Sequence, residues 1–399
     1  MKRNEIGLLE RLHGFLPSRV LELVEEAVKL AGANSVELFL VGGVVRDLLL
    51  DRKCLDLDIV VEGDAIGLVR GITCALETVV THTHFRTATV KGKDFNLDFT
   101  TARRESYARP GALPRIQPGS ITDDLLRRDF SINAMAIHLS GKRRGKLLDP
   151  CGGIDDLDKG VVRVLHEGNF IDDATRILRA IRYEQRFGFQ LEGSTERLLK
   201  RDIPYLNTIS GDRLRHELDR TFHEEYPEKS ITRAAEMGVL TLLNPSLKGN
   251  GWIVEAFHQV RKHVQSPALP IYYALLLYRL NSLELEQVIA RLNLSRALIN
   301  TLQDTIILRN QLELLTSRNL QASQVYSLLK GYSYRSIQAN IVACDDPVAQ
   351  NWMRLFLDKL RYVRPSLKGD DLIRIGVASG PQLGELISRL RDARLDGKL

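Results

Sequence analysis

The sequence predicts an α+β fold: a small mixed sheet with helices at the front of the chain, then an all-helical remainder. Three observations carry this. From Val36 to about Leu165, short apolar runs alternate with glycine turns and helical patterns. From Asn169 onward almost every stretch has helical period, broken at Pro204, Pro227, Pro245, Pro267, Pro270 and Pro347. The front also carries two aspartates one residue apart, Asp56 and Asp58, shortly after the run FLVGGVVRDLLL.

Taken in order, the N-terminus alternates polar and apolar residues as an amphipathic helix does, which is unlike a secretory signal. Val36 to Val41 is a short apolar run that predicts a strand. Gly42 and Gly43 break it, and Val44 to Leu50 predicts a helix with Arg46 and Asp47 in its first turn. Glycine lets backbone N–H groups approach a phosphate closely, and a helix N-terminus favours negative charge. Leu55 to Val61 predicts a second strand. Alternate side chains share a strand face, so Asp56 and Asp58 point together while Leu57 and Ile59 enter the core. Two parallel carboxylates repel unless a cation separates them. Magnesium suits the pair, because it binds one or two carboxylates together with substrate phosphates.

Thr89 to Thr101 predicts a hairpin with Gly92 in its turn. Asp98 lies there between Leu97 and Phe99, as a third metal-facing acid or as a strand aspartate paired with an arginine. His82 and His84 are close together without a further metal-like partner and are expected to be structural or surface residues. In RRDFSINAMA, Arg128 and Asp129 precede Ile132 to Ile137, which predicts a strand. Lys142 to Lys146 is a basic hairpin turn, and Asp149 to Gly153 is a tight structural turn. One long helix is expected over Asp172 to Phe189. Arg176, Arg179 and Arg182 drift across one sector of it, and Ala174, Ile177, Leu178 and Ile181 cluster opposite.

At this point the chain resembles the class II tRNA nucleotidyltransferases, the family of CCA-adding enzymes and bacterial poly(A) polymerases within the polymerase-β-like superfamily. The resemblance rests on the glycine and aspartate motifs, RRDFSINAMA (Arg127 to Ala136), LLDPCGGIDDL (Leu147 to Leu157), DDATRILRAIRYEQRFGF (Asp172 to Phe189) and ISGDRLRHEL (Ile209 to Leu218). The stretch from Leu367 to Gly397 resembles the family's distal region. It implies a polymerase-β-like nucleotidyltransferase head at 1–165, a base-recognising neck at 166–230, an RNA-binding helical body at 231–350 and a helical tail at 351–399.

The resemblance also implies roles. Asp56 and Asp58 would hold Mg2+, with Asp98 as a further catalytic acid. Gly42, Gly43 and Arg46 would cradle the triphosphate, helped by Arg179 and Arg182. Arg128 would contact the nucleotide, with Asp129 and Asn133 shaping the sugar site. The family's EDxxR motif is similar to Asp172-Asp173-Ala174-Thr175-Arg176, with aspartate here in place of the first glutamate. In that motif the second acid and the arginine act as a protein template. A carboxylate beside a guanidinium presents an acceptor beside a donor, which suits cytosine and adenine and rejects guanine and uracil.

The implied partners are the tRNA 3′ end, ATP and CTP. Family members add CCA, CC, a final A, or longer A tails. The loop from Thr100 to Leu126, rich in proline, glycine and arginine, resembles the A-adding branch. A catalytically inactive RNA-binding protein of the same fold is the alternative from another class. A transferase acting on a small molecule is a third reading.

Bulk properties agree. A chain of 399 residues accommodates several packed units. A net charge of +6 and a pI near 9.1 suit an acidic partner. Cys54, Cys74, Cys151 and Cys344 are scattered without metal-type spacing, as expected of reduced thiols in a cytoplasmic protein. No apolar run is long enough to cross a bilayer, and no protein partner is implied.

Overall fold

The computed structural model describes residues 7–53, 56–72, 77–264 and 269–399. Cys54, Leu55, Cys74 and Pro267 lie outside them. The chain divides into two compact units, Met1–Ser210 and Gly211–Leu399.

The first unit is built on a seven-stranded mixed sheet. Helices α1 (Leu8–Phe15) and α2 (Ser18–Ala33) lead into β1 (Glu37–Val41), α3 (Gly43–Leu49), β2 (Asp56–Glu62) and α4 (Ala65–Arg70). The strands β3 (Thr78–His82), β4 (Thr87–Lys91) and β5 (Asn96–Thr101) follow. A two-stranded ribbon, β6 (Arg103–Ser106) with β7 (Arg115–Pro118), precedes α5 (Ile121–Leu126). Then come β8 (Ala136–His138), β9 (Leu147–Leu148), α6 (Gly153–Lys159) and β10 (Val161–Val162). Helices α7 (Asn169–Asp172) and α8 (Thr175–Phe187), β11 (Gln190–Leu191) and α9 (Gly193–Asp202) complete the unit's regular elements. The sheet order is β3-β4-β5-β2-β1-β8-β9, with β2 and β5 parallel and the other neighbours antiparallel.

Register places the acids. Val41 pairs with Asp58 and Phe39 with Val60, so the aspartates share a face with a buried apolar row. Phe39, Val41, Val60, Ala102, Ile121, Leu125 and Ala136 pack there beneath α5. Leu57, Ile59 and Val61 are buried on the opposite face, as the alternation requires. The expected hairpin forms between β4 and β5, closed by a bond from Gly92 N to Phe95 O of 3.0 Å.

Two expectations are corrected. Ile132 to Asn133 is not strand. A 3₁₀ turn spans Ser131–Asn133, and the strand is only Ala136–His138. The Asp129 side chain accepts from Phe130 N at 2.9 Å and from Asn133 Nδ2 at 3.0 Å, which folds the chain back before it can extend. The long helix from Asp172 is also broken, at Asp173, whose backbone is extended. Asp173 Oδ1 accepts from Thr175 N at 3.0 Å and Thr175 Oγ1 at 2.6 Å, which restarts a helix that then runs to Phe187. Gly188, with φ 65°, ends it. The Asp149 turn is structural as expected, its carboxylate accepting from Gly153 N and Ile154 N at the start of α6.

The second unit is helical from Gly211–Phe222 to Pro381–Leu395, with short 3₁₀ turns between helices and no strands among its described residues. One of its cores joins Leu308, Leu315, Val325, Leu329, Ile337, Met353, Phe356 and Leu357. No helix among the described residues is long and apolar enough to cross a membrane.

Candidate active site

The site gathers around the end of β2. Asp56 and Asp58 both face outward from one side of the strand. On the parallel neighbour, Asp98 lies opposite Asp58 and Asn96 opposite Asp56. Asn96 Nδ2 donates to Asp56 at 3.3 Å, and Thr89 Oγ1 donates to Asp98. Asp98 therefore joins the face of the aspartate pair, and its hydrogen-bond partner is a threonine, not an arginine.

Asp58 is exposed on the strand face, yet the surrounding protein desolvates its carboxyl. Burial raises its carboxyl above the ordinary carboxylate range, and the charges of Asp98, Asp56 and Asp124 add to this against the pull of Arg128. Such a concentration of oxygen acceptors fits a hard divalent cation. Among the described residues, no group of three or more His, Cys, Asp and Glu side chains could hold an ion unaided. Asp56 and Asp58 are the paired carboxylates of this face, with Asp98 in register beside them.

Gly42 joins the acids to the basic side of the site. Its backbone has φ 75° and ψ −135°, which only glycine adopts readily. A β-carbon there would lie 2.7 Å from Arg128 Nη1 and 3.4 Å from Asp58 Oδ2. Glycine is thus required twice, by conformation and by the close approach of Arg128. Arg128 is held from behind by Asp124 Oδ2 at 3.0 Å.

Arg46 is placed differently from expectation. Its side chain is buried within the first unit, bonded to Asp47 (2.9 Å) and Asn133 Oδ1 (2.6 Å). Its guanidinium lies 4.6 Å from the Phe187 ring centroid and 5.2 Å from that of Tyr183. Arg46 thereby ties α3 to the 3₁₀ turn and to α8. Asn133 is likewise engaged on both amide atoms, by Arg46 and by Asp129.

Nor is the arginine stripe of α8 a solvated face. Arg176 and Arg182 are buried and Arg179 is partly covered. Arg179 Nη2 lies 2.6 Å from Asp129 Oδ2, and Arg182 stacks over Tyr183. Burial pushes the Asp129 carboxyl up, but Arg179, the Asn133 amide and Arg176 outweigh it and hold it below the ordinary value. Arg176 donates to the carbonyls of Arg127 (2.9 Å) and Asn169 (3.4 Å). Asp173 and Arg176 are joined by backbone, Arg176 N to Asp173 O at 3.0 Å. Asp172, the shorter acid, faces His166 at 3.7 Å, and burial raises its carboxyl.

Some residues at the site were not anticipated. Tyr183 and Phe187, one turn apart on α8, form an aromatic floor under the arginines, and their i, i+4 spacing was the available signal. Asn169, fully buried, donates to the carbonyls of Asp129 and Arg128 and so braces the RRD turn.

A glycine bend beside paired carboxylates on a small mixed sheet, faced by an arginine-bearing helix, defines a nucleotidyltransferase-type head. Residues 38–163 match the model for the "Poly A polymerase head domain", and residues 188–249 match that for the "Probable RNA and SrmB- binding site of polymerase A". A CC-adding tRNA nucleotidyltransferase of Deinococcus radiodurans is 31% identical over 90% of this chain and 85% of its own. An A-adding tRNA nucleotidyltransferase of Geobacter sulfurreducens is 30% identical over all of this chain but 47% of its own, so this chain spans about half the length of that relative. The solved structure of the Thermotoga maritima CCA-adding enzyme complexed with tRNA superimposes with a TM-score of 0.78, at 34% identity over 98% of this chain and 94% of that one. The chain belongs to the tRNA nucleotidyltransferase family.

Proposed function

We propose that this protein is a template-independent RNA nucleotidyltransferase that adds or completes the 3′-terminal CCA of tRNA from CTP and ATP. The observation that carries the proposal is the placement of Asp56 and Asp58 on one strand face, with Asp98 in parallel register and with Arg128 and Asp58 both close to Gly42. Names of relatives support the substrates: A-adding and CC-adding tRNA nucleotidyltransferases, and a CCA-adding enzyme complexed with tRNA. Completion by A alone is a specific second reading. The A-adding relative that aligns along the whole chain favours it, as does the arginine- and proline-rich segment that carries β6 and β7.

In this reading the 3′-hydroxyl of the RNA attacks the α-phosphate of a nucleoside triphosphate and releases pyrophosphate. Asp56 and Asp58 would hold magnesium in a two-metal arrangement, with Asp98 beside them. Magnesium held there would supply Lewis-acid chemistry, making the attacking hydroxyl more acidic and offsetting charge on the leaving group. Gly42 leaves room for the Arg128 guanidinium, which would contact the phosphate oxygens. Arg46, bonded to Asp47 and Asn133, supports the glycine bend and the sugar site from within. Gly43, Arg179 and Arg182 complete the triphosphate wall, and Asp129 fixes Arg179. Asp173 and Arg176 read the base edge. The head, neck, body and tail would divide near residues 165, 230 and 350, and the second unit would dock the tRNA. A cytoplasmic location fits a chain whose described residues hold two free thiols, Cys151 and Cys344.

The test is sequencing of tRNA 3′ ends after incubation with CTP alone, ATP alone, or both. Growth by C, C and A in order supports CCA addition. Growth by A only on tRNA ending in CC selects the A-adding form. No extension by any nucleotide rejects the proposal.

A further inference from the structure

Helix α5 begins with a capping box, in which Ser120 and Asp123 exchange hydrogen bonds at the surface. The next acid, Asp124, behaves oppositely and is fully buried. Its Oδ1 accepts from Arg127 Nε at 3.0 Å and Nη2 at 2.5 Å, and its Oδ2 accepts from Arg128 Nη2 at 3.0 Å. Burial pushes this carboxyl up, but the two arginines outweigh it and hold it below the ordinary value.

Each arginine leads to a different part of the site. Arg128 lies against Gly42, and its charge acts on Asp58. Arg127 supplies the backbone carbonyl that accepts from Arg176 Nη2. Its guanidinium also bonds Glu105 Oε1 at 3.0 Å, and Glu105 holds Arg103 and the Tyr107 hydroxyl. A buried ion cluster is seldom the most stable filling for its volume, since well-packed apolar groups often do as well or better. What a carboxylate between two guanidiniums provides is fixed geometry.

We propose that Asp124 is a positioning residue, which sets Arg128 beside Gly42 and Asp58 and Arg127 beneath Arg176. One buried carboxylate then aligns phosphate contact and base reading together. The proposal rests on the function given above and assigns a residue that touches neither phosphate nor base.

The experiment compares the full-length wild type with Asp124→Asn, Asp124→Glu, Arg128→Gln and the double variant Asp124→Asn/Arg128→Gln. Equilibrium binding of labelled ATP and GTP gives a selectivity ratio, and steady-state extension of tRNA ending in CC gives KM and kcat. Asp124→Asn keeps the shape but removes the charge, and side chains displaced by up to an ångström cost about 10- to 100-fold at such sites. The expected result is a fall of about tenfold in the ATP:GTP binding ratio, with KM for ATP rising more than kcat falls. In the Arg128→Gln background the same change should add little to the KM loss yet still lower the ratio, through Arg127. A residue that only stabilises the fold would reduce the active fraction and leave ratio and KM unchanged, and that result overturns the proposal. Asp124→Glu keeps the charge and serves if the asparagine variant does not fold. It should lower the ratio by displacing both guanidiniums, and an unchanged ratio with it overturns the proposal as well. Failure of the wild type to extend tRNA would count against the function, whereas the binding ratio would still decide the role of Asp124.

Discussion

Replacing Gly42 by alanine tests how tightly the site is packed. The native backbone there, φ 75° and ψ −135°, lies where L side chains are strained, at a cost of about 1–3 kcal/mol. The new methyl would also stand 2.7 Å from Arg128 Nη1, so the guanidinium must retreat by about 0.7 Å to reach ordinary contact at 3.4 Å. Arg128 cannot simply swing away, because Asp124 holds it at 3.0 Å from behind. A misplacement of this size costs about 10- to 100-fold in rate. The strain should lower the melting temperature by roughly 2–4 °C per kcal/mol for a unit of this size. The assay is single-turnover addition of ATP to tRNA ending in CC, alongside thermal melting. Gly42→Ala with wild-type kcat/KM would refute the reasoning, because the bend would then tolerate both the methyl and the moved arginine.

Arg46→Met should destabilise the protein, because Asp47 stays buried without its partner. Breaking such a pair costs about 3–5 kcal/mol, and a melting temperature equal to wild type would return Arg46 to a purely ligand-facing role. Arg176→Ala should blur the choice of ATP and CTP over GTP and UTP more than it weakens tRNA binding; unchanged selectivity in competition assays would remove Arg176 from base reading. Asp58 has its carboxyl held above the ordinary value, so the folded protein binds a proton there more readily than the unfolded chain. Stability from this group is therefore full below the ordinary carboxylate pKa and declines as pH rises through the raised one. In chelator, Asp58→Asn should melt above wild type at neutral pH, with the gap closing as the pH falls. A gap independent of pH, or of opposite sign, would contradict the electrostatic account.

Much of this was legible in the sequence because it depends on short-range periodicity. Alternation along a strand is enough to turn Asp56 and Asp58 one way and Leu57 and Ile59 the other. A glycine pair between an apolar run and a helical run marks a bend. What could not be read depends on partners far along the chain. Arg46 reads as a cation on the first turn of a helix, and only the fold brings Asn133, Tyr183 and Phe187 around it. Asp173 reads as part of the first turn of one long helix, yet its side chain caps the next turn and breaks the helix. Asp123 and Asp124 look alike as consecutive acids before a basic pair. Spacings of three and four residues to Arg127 and Arg128 hinted at pairing, but not that one acid would be buried and the other solvated. The burial of Arg176 and Arg182 on α8 could not be read either, because sequence does not show what packs over them.

The most direct measurement is transfer of labelled AMP or CMP to tRNA lacking its 3′ end, by wild type and by Asp58→Ala, at matched tRNA occupancy. Loss of a metal-holding carboxylate should lower transfer by at least about a thousandfold while the tRNA Kd stays within about twofold, since Asp58 carries no RNA-facing positive charge. Transfer by the variant at a rate near wild type would show that chemistry occurs elsewhere and would contradict the assignment of the β2 carboxylates.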